Sequence, residues 1–302
     1  MAGINKRKGI IPKIALHSFF ILLSLCFIIP LWAIVSISVT GDIEIVNYGY
    51  RLIPKTIDFS AYRFILKDPS TILSAYKVTI ITSFASAILF LIIGSMSGYA
   101  LSRDNFKYRR GVTFFFFFTM LFNGGLVPTY ILISKYLNLK NTCWVLILPL
   151  LVNVWNVFLM RTFFQQLPKE IFDSATIDGA GEFRIYSFIV LPLSKPVLAT
   201  VGLLQLLGGW NSWYLALLYI TDKELYPLQY LLQIMLLNIS MILNIMQKNI
   251  AAGSNVDISY FDLPNESMRM AMCILAVGPM LLIFPFFQKY FSKGLTVGSV
   301  KG

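Results

Sequence analysis

Apolar residues run through this chain in long blocks, with the polar residues gathered between them. The blocks lie at about 14–39, 78–101, 112–134, 143–163, 197–220 and 270–288, and each is long enough to carry a helix across a bilayer. The pattern predicts an all-α, polytopic membrane protein with six transmembrane helices in a single domain over 1–302. The first block is too long for the apolar core of a cleavable signal. Six crossings place both ends of the chain on the same side.

The basic residues choose that side. Lys6, Arg7, Lys8 and Lys13, then Arg103, Lys107, Arg109 and Arg110, then Arg161, Lys169, Arg184 and Lys195, and finally Lys289, Lys293 and Lys301 all fall on the side of the termini. These are 15 of the 25 Lys and Arg residues, accompanied by five acids, whereas the other side holds ten basic residues and nine acids. The positive-inside rule therefore predicts cytoplasmic termini. Most of the formal charge of +11 is this asymmetry, so no nucleic-acid partner is needed to account for it.

With that orientation the segments between the blocks acquire places. Gly41 to about Tyr76 mixes charge, Pro and Tyr and reads as an ordered external loop. The segment at about 225–245 is long and apolar, but Gln229, Gln233, Asn244 and Gln247 fall near one helical face. It reads as an external amphipathic helix lying partly in the interface, because a seventh span would carry the C-terminal lysines outside. The remaining long segment, about 165–195, is cytoplasmic.

Composition agrees with a membrane protein: 57% of residues are hydrophobic and only 13% charged, against about 25% charged in soluble domains. None of the six blocks carries Asp, Glu, Lys or Arg in its core, which disfavours proton-driven transport. No Gly-Lys dipeptide occurs, hence no phosphate-cradling loop of the G-x-x-x-x-G-K-[ST] kind; ATP, if used, is bound by another chain. Cys26, Cys143 and Cys273 are scattered in apolar runs and read as core hydrophobes. His17, the only histidine, has no carboxylate or cysteine beside it. Neither a metal site nor a set of catalytic residues is predicted.

Uncharged polar residues do lie at depth: Asn123, Asn153, Asn156, Gln205 and Asn211. An unsatisfied amide in hydrocarbon costs several kcal/mol, so each must face protein or a water-filled path. Two readings stand: hydrogen bonds between helices, or a path for a polar, uncharged solute, with Trp155, Trp210, Trp213 and Tyr214 offering flat faces to it. Pro30, Pro128, Pro149, Pro279 and Pro285 can kink spans. Gly94 and Gly98, four apart, permit close helix approach.

The cytoplasmic segment contains "DSATIDGAGEFRIYSFIVLP", residues 173–192. Pro168 can start a helix there, Glu170 and Asp173 suit its N-terminal half, and Gly179 can stop it. If the helix ran on, Phe172, Ala175, Gly179 and Phe183 would fall within about 80° of one another, a narrow stripe able to seat in a groove; the glycine can instead bend the segment into two short helices. Without a docking partner, such a segment would lie on the inner leaflet.

Asp173-Ser174-Ala175, three residues, Gly179, nine residues, then Ile189-Val190-Leu191-Pro192 resembles the E-A-A-x3-G-x9-I-x-L-P loop of ATP-binding-cassette (ABC) importer permeases, with Asp for Glu and Ser for Ala at its first two positions. "DGA" at 178–180 resembles the carbohydrate-importing branch. "WNSWYLALLY" and "FFQKYFSKGLTVGSVKG" are similar to the maltose-type G subunit, and "FNGGLVPTYILI" and "LPLSKPVLAT" to lipoprotein- and polysaccharide-associated permeases. The resemblance extends over nearly the whole chain. It implies a type I importer fold, a second related permease, two ATPase subunits that bind ATP and magnesium, and an external solute-binding protein; no cofactor is bound by this chain. It implies that Asp173, Ser174, Ala175, Asp178, Gly179 and Ala180 couple to the ATPase, with Gly294 to Gly302 as a second contact, and that the solute is an oligosaccharide or polysaccharide fragment. A passive facilitator, or an importer of a non-carbohydrate solute, is the alternative.

Overall fold

The computed structural model describes residues 10–251 and 266–297. Lys6, Arg7, Lys8, Lys301 and the end of the tail from 298 onward lie outside the described residues, as do the side chains of Asn244 and Gln247. The chain divides into two compact units, one from Met1–Pro69 with Met235–Gly278 and the other from Ser70–Ile234 with Pro279–Gly302.

The first unit opens with α1 (Ile10–Ser38), a 29-residue helix with Pro30 inside it. Phe19, Phe27 and Trp32 stand exposed along it, which suits a helix whose solvent is hydrocarbon. Beyond it, α2 (Asp42–Tyr48) and α3 (Ser60–Ile65) order the segment 41–68, and the remainder of the expected loop, to Tyr76, is already the first turns of a long helix. The order of the segment comes from specific bonds. Trp32 Nε1 donates to the Leu52 carbonyl at 2.8 Å, Ser36 Oγ to the Arg51 carbonyl at 2.8 Å, and the Lys55 amide to the Glu44 carboxylate at 2.8 Å. The Asp42 carboxylate caps the helix that begins at Glu266 by accepting from the Ser267 amide at 3.1 Å.

The second unit is organised on α4 (Pro69–Ser102), 34 residues long. It is followed by α5 (Arg109–Leu121), α6 (Leu126–Tyr136), α7 (Trp144–Leu151), α8 (Val154–Gln165), α9 (Lys169–Ile177), α10 (Glu182–Leu193), α11 (Lys195–Trp210) and α12 (Trp213–Tyr219). Two further helices, α13 (Leu228–Ala251) and α14 (Glu266–Val297), have residues in both units. Small residues let the others approach α4 closely. A Cβ at Gly98 would stand 3.2 Å from the Val157 carbonyl oxygen on α8, and one at Gly209 on α11 would stand 3.0 Å from Ser83 Cα. Backbones meet where side chains would keep them apart.

Among the described residues, three helices are long and apolar enough to cross a membrane alone: Lys13–Ser38, Pro69–Ser102 and Glu266–Gln288. Three bent pairs bring the number up to six if each is one span: α5 with α6 (111°), α7 with α8 (47°) and α10 with α11 (81°). The block 112–134, uniform in hydrophobicity, is therefore no straight crossing. Asn123 Oδ1 accepts the Gly125 amide at 2.9 Å and Gly125 takes φ +88°, so a side chain and a left-handed residue replace the helical ladder. The block 197–220 stops at Asn211 and resumes at Trp213. The segment expected to lie on the outer interface begins as a packed helix: Leu228 is fully buried and its amide donates to Thr79 Oγ1 at 2.7 Å.

Candidate functional site

The stretch expected to lie in the cytoplasm forms two helices around a glycine. Pro168 precedes α9 with extended backbone (ψ 131°) and Glu170 lies in the first turn, where a carboxylate favours the helix dipole. At the other end the Ala180 amide donates to the Ala175 carbonyl at 2.9 Å and the Gly179 amide to the Thr176 carbonyl at 3.0 Å. With Gly179 at φ +76°, this is a Schellman cap. A left-handed residue costs a side chain roughly 1–2 kcal/mol that glycine avoids. Residue 181 is extended again, and α10 starts at Glu182.

The cap rearranges the expected stripe. Phe172 and Ala175 are buried (6% and 8% exposed) and belong to the chain's own core with Phe164, Ile185 and Tyr186, so they hold α9 in place and do not present it. Phe183, on the other side of the glycine, is 71% exposed, and Ile177 is 86% exposed. Of the six predicted coupling residues, Asp173, Ser174, Asp178 and Gly179 are exposed, Ala175 is buried, and Ala180 is half-buried against the same core. The outward face thus consists of two acids, a serine and a glycine, flanked by the bare apolar side chains of Ile177 and Phe183.

Sequence reasoning missed what fixes this face. The turn after α4, residues 103–105, grips both helices. Arg103 lies over the Phe172 ring at 4.5 Å and pairs with Glu182 at 3.4 Å. Asn105 Nδ2 donates to the same carboxylate at 2.9 Å, and the Tyr99 hydroxyl donates to its other oxygen. Asp104 accepts from Lys169 Nζ at 3.1 Å and from Arg109; the Lys169 bond, followed by that of Arg109, holds the Asp104 carboxyl below the ordinary carboxylate range. A cleft of about 700 Å³ lined by Arg103, Asp104, Lys169, Asp173 and Ile177 opens beside α9. In the sequence these anchors show only as part of the basic run "SRDNFKYRR", whose charge marks a side of the membrane and not a contact.

The polar residues at depth separate into different roles. Gln205 is buried and its Nε2 donates to the Leu150 carbonyl, an acceptor freed where α7 gives way at Val152. Asn153 caps α8 by accepting the Asn156 amide at 3.2 Å, and Asn156 is itself buried. Trp210 is buried, with its ring 6.5 Å from that of Tyr76. Asn123 is exposed and occupied in the turn described above. Asn211 is exposed, donating to the Leu207 carbonyl at 3.0 Å and accepting from Gln229 at 3.3 Å. Trp155, Trp213 and Tyr214 are exposed by 66%, 40% and 46%. Asn211, Trp213 and Tyr214 come together at the break between α11 and α12; among the described residues, neither Asn123 nor Trp155 is hydrogen-bonded to that group.

Comparison with known proteins gives a consistent result. A family model described as "Binding-protein-dependent transport system inner membrane component" matches residues 91–297. Protein LplC of Bacillus subtilis is 36% identical over 276 residues, covering 91% of this chain and 90% of its own. The polygalacturonan/rhamnogalacturonan transport system permease protein YtcP of the same organism is 33% identical, covering 95% and 97%. Among solved structures, a bacterial ABC transporter involved in the import of the acidic polysaccharide alginate has a chain that matches with a TM-score of 0.75 and 27% identity, over 96% of this chain and 99% of that one.

Proposed function

The chain belongs to the family of binding-protein-dependent transport system inner membrane components, the membrane-spanning subunits of ABC importers, and from that premise we propose that it moves a carbohydrate, an oligosaccharide or polysaccharide fragment, using ATP hydrolysed by its partners. A second related permease completes the path, two ATPase subunits bind ATP and magnesium, and an external binding protein delivers the solute. Both termini lie in the cytoplasm, on the side richer in Lys and Arg. The carbohydrate class rests on relatives such as YtcP and on the alginate importer.

Asp173, Ser174, Asp178 and Gly179 meet the ATPase directly; Ala175 and Ala180 seat the cap that presents them. The stretch from Gly294 is a second contact, of which the helix to Val297 is described. One observation carries the coupling role: an exposed hairpin is clamped by Arg103 and Glu182 to the end of α4 and runs through α10 into α11. Its base is stiff, so displacement of its tip is passed to two membrane helices. For ATP to move them, the ATPase must hold the hairpin differently in its open and closed states. Asn211, Trp213 and Tyr214 are the group best placed to meet the solute; Gln205 and Asn153 serve structure.

The test is reconstitution. Vesicles containing the assembled transporter should take up a labelled oligosaccharide only with ATP inside and binding protein outside. Uptake by this chain without ATP would make it a facilitator, and ATP-dependent uptake of a different solute would refute the carbohydrate assignment alone.

A further inference from the structure

A second cleft, of about 1040 Å³, lies between the N-terminal turn of α5 and the C-terminal half of α8. Four cations line it: Lys107, Arg109, Arg110 and Arg161. Asp104, at its edge, already engages Arg109 and Lys169. Among the described residues no carboxylate pairs with Lys107, Arg110 or Arg161. Arg161 is fixed from behind, its Nε donating to the Leu101 carbonyl at 3.1 Å, and it lies near enough to Arg109 to feel its charge. Like charges gathered in one concavity repel, and an anion between them removes that cost. Thr113 Oγ1, on the same wall, is buried without a hydrogen-bond partner among the described residues.

The other walls choose among anions. Phe114 and Phe117 line the cleft one and two turns into α5 and are largely exposed. Phe117 sits about 10 Å above Arg110 at 1.5 Å rise per residue, the direction in which acyl chains leave a headgroup. A soluble anion would have no use for these rings. We infer that this cleft is a binding site for the phosphate headgroup of an anionic phospholipid, with its acyl chains along the exposed phenylalanines of α5. Basic pockets between membrane helices on the cytoplasmic side take such headgroups. The inference rests on the orientation proposed above, which sets the cleft in the cytoplasmic leaflet. The site adjoins the anchors of α9 through Asp104, so an occupied site would brace the coupling hairpin.

The complete transporter, purified in detergent, is mixed with phosphatidylglycerol or phosphatidylcholine, and retained lipid is read by native mass spectrometry. Phosphatidylglycerol should be retained selectively, with affinity falling about fivefold for each charge removed in K107Q/R110Q, while R110K keeps it. Both positions are exposed, so the double variant leaves packing intact. Equal retention of the two lipids overturns the site. Displacement of phosphatidylglycerol by millimolar inorganic phosphate makes it a soluble-phosphate site and overturns the lipid assignment. Unchanged lipid retention by K107Q/R110Q, with loss of the ATPase subunits, makes the surface a protein contact instead. No readout depends on transport, so failure here leaves the importer reading standing, and failure of uptake leaves this one standing.

Discussion

The guanidinium of Arg103 lies 4.5 Å from the centre of the Phe172 ring, joining the end of α4 to α9. Arg103 also pairs with Glu182 at 3.4 Å, so one side chain spans both arms of the hairpin. Phe172 is 6% exposed, and Phe172→Ala should cost about 3–5 kcal/mol of local packing. The complex should melt lower, and ATP hydrolysis should no longer be matched by uptake. Unchanged melting and uptake would show that α9 is held by other contacts.

Glu182 binds Tyr99, Arg103 and Asn105 at once. Glu182→Gln preserves its shape but removes the charge opposite Arg103, and hydrogen bonds to charged groups contribute about 1.5–3 kcal/mol. We expect insertion at normal levels with reduced uptake per ATP hydrolysed, and partial recovery in Glu182→Asp. A normal ratio in Glu182→Gln would mean that the carboxylate is dispensable to the clamp.

Asp104 supplies the pH dependence. Its carboxyl is held below the ordinary range by Lys169 and then Arg109, so the folded form binds its proton less readily than the unfolded chain does. The stabilisation is fully present above the unfolded value of about 3.9 and is lost as pH falls through the lowered one. The melting difference between the protein and Asp104→Asn should therefore shrink as pH is lowered below the unfolded value. A difference that stayed constant would place the ion pairs outside the stability of the fold.

Gln205 and Asn211 carry the same kind of amide and should answer mutation differently. Gln205→Leu leaves the Leu150 carbonyl without its donor and should lower stability by about 0.6–1.7 kcal/mol, with uptake following the amount of folded protein. Asn211→Leu, at an exposed break between helices, should impair uptake more than assembly. Normal uptake in Asn211→Leu would return that residue to packing.

The sequence carried the parts of this protein that are local. Gly179 announced a helix end because a Schellman cap needs only a few neighbouring residues, and the structure has that cap. The small residues Gly94 and Gly98 announced close packing, and Gly98 meets the backbone of α8. Long apolar blocks hid other features: counting hydrophobicity passes over "NGG" at 123–125, a turn signal that bends the chain by 111°. The stripe through Phe172 and Phe183 came from extending one helical wheel across the glycine that ends it. Arg103, Asp104 and Glu182 were invisible as a clamp because the contacts that join them arise between segments far apart in the chain, and only tertiary packing creates them.

The most direct test of the central claim places a cysteine at Ser174, exposed on the outward face of α9, and treats the assembled transporter with a short bifunctional thiol–amine cross-linker. Coupling through this hairpin predicts that Ser174→Cys captures the ATPase subunit, with a yield that changes when ATP closes the ATPase dimer. A Ser174→Cys protein that reacts with a soluble maleimide equally well alone and in the complex, and never cross-links to the ATPase, would contradict it.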